Sequence, residues 1–199
     1  MLLQCDKGKH NWLFKIKSLL SSHGFLYIWN DPHGLDINSF LFLFKQRLID
    51  DFTQNWTSDL NNNRVLQLYK EVKPDFGYAN YLNIFCTKRL RNAFARLRLS
   101  SHTLRIETGR YSRTRLERHE RVCQLCNSSD IEDEYHFILV CPTYSNIRHK
   151  FISNYYTRRP SMFKFICLLQ STKKMVLINL SKYLHEAFAI RLQILNNFV

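Results

Sequence analysis

Three cysteines and one histidine fall within nineteen positions of the chain, in the order Cys123, Cys126, His136 and Cys141. Zinc prefers thiolate and imidazole ligands, and two intervening residues let one tight turn aim Cys123 and Cys126 at the same ion. His136 and Cys141 are five positions apart, which the middle of a regular helix would not aim at one point. A short helix that ends before Pro142 would free Cys141 to turn inward. The array C-x2-C-x9-H-x4-C therefore predicts one bound Zn²⁺ ion.

A shell filled by four protein ligands leaves no open coordination position, so the predicted zinc is structural rather than catalytic. Two other interpretations of the cluster stay open. A C-x2-C pair also occurs in thiol redox sites, although those begin a helix after a strand. All four side chains could instead be ordinary buried residues without a metal.

The identity of the nitrogen ligand has one alternative. His119 lies four positions before Cys123 and could replace His136, although its LERHER surroundings predict a solvated segment. The remaining three cysteines, Cys5, Cys86 and Cys167, are predicted to be buried thiols without a metal.

A polar loop, NSSD, separates the two ligand pairs. We predict that Ser129 or Asp130 caps a helix that begins at IEDEYHF. The three acidic residues Glu132, Asp133 and Glu134 would suit its first turn, where the helix dipole favours negative charge.

Helical periodicity dominates the rest of the chain. Trp12, Ile16, Leu19 and Leu20 share one face of a predicted helix at about 11 to 22, which Gly24 would end. A long amphipathic helix is predicted from 37 to about 60, a short one before Pro74, another through IFCTKRLRNAFARLRLSS, and several after the cysteine cluster. The predicted fold class is mainly α, a helical domain with a small embedded zinc-knuckle lobe and little or no sheet.

Charge is the unusual bulk property of the chain. It carries 29 Lys and Arg against 16 Asp and Glu, a net charge of +13. Residues 86 to 121 contain eleven Lys or Arg and three Glu, a net charge of +8. Such an excess argues for a polyanionic partner, RNA or DNA before a membrane surface.

Arginine outnumbers lysine in this basic block, and its planar fork can hold a phosphate and stack on bases. Phe94, His102 and Tyr111 are interleaved aromatic rings that could add stacking surfaces. The predicted nucleic-acid contacts are Arg89, Arg91, Arg96, Arg98, Arg105, Arg110, Arg113 and Arg115.

No run of eighteen apolar residues and no signal-peptide pattern occurs in the sequence, and six cysteines in a chain of 199 residues fit a reducing compartment. We therefore expect a soluble intracellular protein of the nucleus or cytoplasm, with no membrane partner and no small-molecule substrate. Three regions are predicted to pack as one unit: helices over 1–85, the arginine-rich helix and loop with the zinc lobe over 86–156, and C-terminal helices over 157–199.

Several joined segments resemble one family. RLSSHTLRIETGRY at 98–111, the C-x2-C pair, IEDEYHFILVCPTYSNIR and RPSMFKFICLL are similar to the zinc-binding domain downstream of the reverse transcriptase in non-LTR, LINE-like retrotransposon polyproteins. The resemblance covers roughly residues 10 to 190 and is most specific at 98–148.

The resemblance implies that Cys123, Cys126, His136 and Cys141 bind zinc and that the lobe helps an upstream polymerase hold template RNA or target DNA. The chain departs from a whole polymerase, since it has no Tyr-x-Asp-Asp motif and GYAN at 77–80 lacks both aspartates. Asp50 and Asp51 are more typical of a solvated helix edge than of a two-metal centre, and no endonuclease or RNase H carboxylate set can be assembled.

The predicted protein is therefore a non-enzymatic C-terminal fragment that binds nucleic acid. The alternative is a scaffold whose aromatic helices dock on the polymerase region without touching nucleic acid.

Overall fold

The computed structural model describes residues 12–33, 35–85 and 87–197 and divides the chain into two compact units, Met1–Asp59 and Leu60–Val199. This division falls within a helix, and it does not coincide with the predicted boundaries after residues 85 and 156. Cys5 and Cys86 lie outside the described residues.

The first unit contains α1 (Trp12–Ser22), α2 (Leu26–Asn30) and most of α3 (Ile37–Asn62). The predicted ends of α1 and α3 agree with these bounds to within two residues. Gly24 adopts a φ of +82°, which glycine reaches without a steric penalty, and it ends α1 as predicted. A small core of Leu20, Phe25 and Ile28 holds the unit together.

The buried face of α1 differs from the prediction. Leu13 and Leu20 are the buried residues of this helix, whereas Trp12, Ile16 and Leu19 are exposed. Leu13 and Leu20 are seven positions apart, two turns of a helix, so a narrow stripe is enough to reach so small a core.

The described residues of the second unit form eight further α-helices: α4 Gln67–Val72, α5 Tyr81–Ile84, α6 Lys88–Arg98, α7 Arg105–Thr108, α8 Ser145–Phe151, α9 Asn154–Thr157, α10 Met162–Leu169 and α11 Lys174–Asn196. Helix α11 is central, because it packs against α5, α6, α8 and α10. Among the described residues the only β pairing is a single bridge between Val122 and Ile131, so the predicted mainly α fold class is confirmed.

The core of the second unit lies between α6, α11 and the segment around the histidine of the cluster. Phe94 and Leu97 of α6, Phe137, and Leu180 and Leu184 of α11 are fully buried there. The metal-ligand segment is therefore built onto the main core, since Phe137 directly follows His136. Over the described residues, no helix is both long and apolar enough to cross a bilayer.

Candidate metal centre

A short antiparallel pairing of two segments positions Cys123 and Cys126, the first pair of candidate ligands. Val122 and Ile131 form the antiparallel bridge, Cys123 N–H donates to the Asp130 carbonyl at 2.8 Å, and Glu132 N–H donates to the Arg121 carbonyl at 2.9 Å. The enclosed residues must reverse direction within a few positions. Both cysteines of the C-x2-C pair lie on this turn.

The second ligand pair is placed by one turn of π-helix over His136–Val140. Its closing bond runs from Cys141 N–H to the His136 carbonyl at 2.7 Å, an i to i+5 bond. This wider turn brings residues five apart nearly above one another, which the 3.6-residue period of an α-helix does not. Pro142 then starts a separate short turn, so the expected break after Cys141 is present.

The four predicted side chains converge. Their candidate ligand atoms all lie within 4.8 Å of one another, with 4.0 Å between the Sγ atoms of Cys123 and Cys141 and 3.4 Å between Cys126 Sγ and His136 Nε2. Sulfurs that bind one zinc at about 2.3 Å in a tetrahedron are about 3.8 Å apart. The group could therefore hold one metal ion without a large rearrangement.

Neither of the other candidates joins this group. His119 is exposed in a 3₁₀ turn, Arg118–Glu120, and the histidine that lies within the cluster is His136. Cys167 is a half-buried free thiol on α10, less buried than predicted.

The thiols and the imidazole of the cluster shift one another's pKa values. The hydrogen bond with Cys141, together with burial, raises the pKa of the Cys123 thiol to about 12, while that same bond lowers the pKa of Cys141. Burial disfavours protonated His136, but its hydrogen bonds with Cys123 and Cys126 outweigh burial and raise its pKa. Protons are thus shared among closely spaced donors, and a divalent cation that binds thiolates would displace them.

The Nδ1 edge of the His136 ring lies near a carboxylate but forms no hydrogen bond with it. His136 Nδ1 lies 3.5 Å from Asp130 Oδ2, and the backbone N–H of His136 donates to Asp133 Oδ1 at 2.9 Å. A carboxylate behind a metal-binding imidazole fixes the ring and increases its basicity.

The same contacts identify the cap of this helical turn. Because the Asp133 carboxylate accepts the backbone N–H of His136, Asp133 is the capping residue, and the predicted cap at Ser129 or Asp130 is wrong.

We predict that Asp130→Asn weakens metal binding by about tenfold, because the amide keeps the shape of the carboxylate but loses its charge behind the ring. The measurement is a competition titration of Zn²⁺ or Co²⁺ against a chromophoric chelator. Asp75→Asn, at an exposed aspartate of the same unit, is the matched control and should leave affinity unchanged. Equal affinities for the two variants would contradict the role of Asp130.

Two side chains from outside the π turn donate hydrogen bonds to its carbonyls and to that of Cys141. Arg148 donates from Nε to the Ile138 carbonyl at 2.7 Å and from Nη2 to the Cys141 carbonyl at 2.6 Å. Tyr183 of α11 donates its hydroxyl to the Phe137 carbonyl at 2.6 Å. These residues were not among the predicted site residues, since a basic residue in RHK and a tyrosine on a helix carry no local signal of this role.

Two of the three acidic residues predicted for the first turn of this helix, Glu132 and Glu134, are buried and have partners from other parts of the second unit. Glu132 is buried and accepts two bonds of 2.8 Å from Arg191 of α11. Glu134 is buried too and accepts from His102 at 2.9 Å. Burial alone would raise the pKa of Glu134, but the hydrogen bond and charge of His102 lower it overall. These carboxylates fasten the metal lobe to the helices around it.

The predicted nucleic-acid arginines separate into two groups. Arg98 is buried at the end of α6, where its guanidinium lies 5.0 Å from the Tyr81 ring and donates to the Leu169 carbonyl, so it serves the core and not the surface. Burial accordingly lowers its pKa. Arg105 and Arg110 are half-buried, and Arg110 forms an ion pair of 3.0 Å with Glu107.

The remaining predicted contacts reach solvent. Arg91 is half-buried, and the exposed members of the set are Arg89, Arg96, Arg113 and Arg115. Of the predicted stacking rings, Tyr111 is 77% exposed, whereas Phe94 and His102 are buried and cannot receive a base. Phe94 instead serves the core as an inward residue of α6.

Arg121 is a second structural arginine of the basic block. It donates to the Leu116 and Ile106 carbonyls at 2.7 to 3.1 Å, and its side chain lies against Gly109, where an added Cβ would come within 2.8 Å of it. Only a residue without a side chain allows this approach. The loop 109–121 is thus wrapped around Arg121 immediately before the first ligand cysteine.

No protein-family model matches the chain, and comparisons with curated proteins and with solved structures find no significant match. The resemblance to the retrotransposon zinc-binding domain thus rests on the quoted residues, and the function has to be argued from the site.

Proposed function

We propose that the chain is a non-enzymatic, zinc-organised module that binds nucleic acid, of the kind that accompanies the reverse transcriptase in non-LTR retrotransposons. The observation that carries this proposal is the convergence of Cys123, Cys126, His136 and Cys141, in the spacing of that family, directly after an arginine-rich stretch of the chain. Such a module would act inside the cell, in the nucleus or cytoplasm.

Zinc is the metal that suits this donor set best. Three thiolates and one imidazole are soft to borderline ligands, and they leave no carboxylate or open position for Mg²⁺ or Ca²⁺. When bound, the ion would supply a cross-link between the turn at Cys123 and the π turn at Cys141. The protein around it already supplies the hydrogen bonds of both turns.

The charge distribution supports a polyanionic partner. Four of the predicted arginines are exposed in the block that carries a net charge of +8. Since phosphate contacts dominate nucleic-acid affinity and do not require a particular base, this surface suits binding of template RNA or target DNA without strong sequence preference.

A polymerase function is not supported by the acids of α3. Asp51 lies 2.6 Å from His23 Nδ1, and Asp50 accepts from Gln46 at 2.8 Å. The two side chains therefore have separate protein partners, whereas a two-metal centre needs carboxylates that converge on one point.

A docking scaffold is the second candidate function. Ile37, Leu41 and Phe42 of α3 are large apolar side chains that are more than half exposed. An apolar helix surface of this kind is typical of protein contacts, and a polymerase region of the same polyprotein is the partner that this alternative implies.

Nucleic-acid binding is tested by fluorescence anisotropy of a labelled RNA at several salt concentrations. We expect affinity to fall steeply, by about a thousandfold between 50 and 200 mM salt if six or more phosphates are contacted. Arg113→Gln with Arg115→Gln should reduce the slope of log Kd against log salt, whereas Lys174→Gln, an exposed cation outside the basic block, should not. Absent or salt-insensitive binding by the wild-type chain would leave the scaffold alternative.

A further inference from the structure

A groove runs between α6 and α11 of the second unit. Its volume is about 410 Å³, and it is lined by Arg89 and Arg96 on α6 and by His185, Phe188 and Leu192 on α11. The lining combines guanidinium groups with an apolar wall, and that volume lies within the range of small-ligand pockets. A ligand that joins an anionic group to a flat apolar ring would match both parts of the lining.

Positive charge in this groove has no acidic counterpart. Among the described residues that line it, none is an aspartate or a glutamate, and neither Arg89 nor Arg96 belongs to an ion pair found in the described part of the chain. Arg89 instead packs its guanidinium against the imidazole of His185. Two cationic side chains without a carboxylate favour an anion from outside the chain.

One hydrogen bond holds the Arg96 guanidinium in place and leaves its other N–H donors free. Its Nε donates to the Ser101 carbonyl at 3.0 Å. That bond uses one of the five N–H groups of the guanidinium, so the terminal nitrogens can still hold a phosphate. An anchored arginine loses less conformational entropy on binding than a free one.

Arg96 also joins this groove to a second one. The neighbouring groove has a volume of about 430 Å³, shares Arg96, His102 and Thr103 with the first, and is lined at another point by Tyr111. Tyr111 has 77% of its surface exposed, the largest value for a big apolar side chain among the described residues. The two grooves thus adjoin at Arg96, with Arg89 on one side and the uncovered Tyr111 ring on the other; the acid that lines the second groove, Glu107, is buried and paired with Arg110 at 3.0 Å.

We propose that these two adjoining grooves bind single-stranded RNA or DNA, with successive phosphates at Arg89 and Arg96 and a base stacked on Tyr111. This inference rests on the proposed nucleic-acid function and specifies the form of nucleic acid that it takes. In a duplex the bases are paired and stacked inside, so none reaches Tyr111 without unstacking, whereas a single strand offers both its phosphates and the faces of its bases.

The test uses the zinc-loaded full chain and three labelled probes of equal length: oligo(U), oligo(dT) and a mixed-sequence duplex. The groove variants are Arg89→Gln with Arg96→Gln, and Leu192→Glu, which adds a carboxylate at an exposed position. Arg113→Gln with Arg115→Gln is the matched pair outside the grooves. Thermal unfolding of each variant checks that it is folded.

We expect the wild type to bind both single strands at least tenfold more tightly than the duplex. Both groove variants should weaken single-strand binding by about tenfold or more, and the double variant should lower the salt slope by about 0.7 for each phosphate contact removed. Tyr111→Ala should weaken binding by about tenfold with an unchanged salt slope, whereas Tyr155→Ala, at another exposed tyrosine, should have little effect.

The failures of this inference and of the proposed function are distinguishable. Equal binding of duplex and single strands, or groove variants that bind like wild type while the Arg113 and Arg115 pair loses affinity, would overturn the groove and leave nucleic-acid binding standing. No salt-dependent binding of any probe would overturn both. If the double variant does not fold, Leu192→Glu decides, because an exposed side chain is replaced there.

Discussion

Replacing Cys141 by serine is expected to abolish tight metal binding and to unfold the segment around the cluster. Cys141 is fully buried, and it connects the π turn, through its backbone N–H, to the sulfur group of the site. A serine hydroxyl is a poor zinc ligand because it does not ionise at neutral pH as a thiol bound to zinc does.

The expected effect is large because metal binding and folding are coupled. If the affinity falls a thousandfold at fixed free zinc, the free energy of unfolding falls by about 4 kcal/mol. For a chain of this size that corresponds to a thermal midpoint lower by about 10 °C. Addition of a strong chelator to the wild type should lower the midpoint in the same direction.

The measurements are metal content after dialysis, the visible spectrum of the Co²⁺ form, and thermal unfolding by circular dichroism. Cys167→Ser is the matched control, since Cys167 is a half-buried thiol outside the cluster. It should keep one equivalent of zinc and a tetrahedral thiolate spectrum. A Cys141→Ser chain that retains both the metal and the midpoint would refute the structural role of the site.

The grouping of the four candidate metal ligands could be predicted from the sequence because the information for it is local. Two residues between Cys123 and Cys126, and a proline directly after Cys141, restrict the backbone whatever the rest of the chain does. The helices were predictable for a similar reason, since apolar residues repeat with the period of the element that buries them.

The π turn could not be predicted because distant residues stabilise it. Its carbonyls at Phe137, Ile138 and Cys141 accept bonds from Arg148 and Tyr183, and the latter lies 46 positions from Phe137. Tyr183 lies outside a sequence window of one helix, and the local pattern around Arg148 does not show that its side chain turns back onto these carbonyls. The sequence therefore predicted the end of the short helix before Pro142, as observed, but not the π geometry of its last turn.

The buried arginines show the same limit. Arg98 and Arg121 lie in a strongly basic stretch, where each arginine taken singly is expected to be solvated. Both are buried because the backbone elsewhere presents carbonyls that require donors, at Leu169 for Arg98 and at Ile106 and Leu116 for Arg121. The count of basic residues consequently overstates the cationic surface, although the exposed arginines still dominate it.

Glu132→Ala is expected to destabilise the chain by about 3 to 5 kcal/mol, because it leaves a buried guanidinium without its counter-charge. The side chains of Glu132 and Arg191 are 1% and 6% exposed, and both contacts between them measure 2.8 Å. Burial alone would lower the pKa of Arg191, but the bonds to Glu132 raise it, so the arginine stays charged.

The comparison that isolates this effect is with an exposed pair in the same unit. Lys150 and Glu186 lie 3.6 Å apart and are 63% and 40% exposed, so Glu186→Ala should cost no more than about 1 kcal/mol. Chemical denaturation at constant pH and zinc concentration gives both free energies. Equal losses in the free energy of unfolding for the two variants would contradict a stabilising role of the buried Glu132–Arg191 pair.

A double replacement, Glu132→Leu with Arg191→Met, separates the cost of an unpaired charge from the loss of a stabilising contact. If the unpaired charge causes the loss, the double variant should recover most of the stability, since apolar residues of similar volume often replace a buried ion pair without penalty. Recovery should fall short by about 1 kcal/mol, because Glu132 also accepts the Arg105 N–H at 2.8 Å. A double variant no more stable than Glu132→Ala would show instead that the ion pair itself joins the metal lobe to α11.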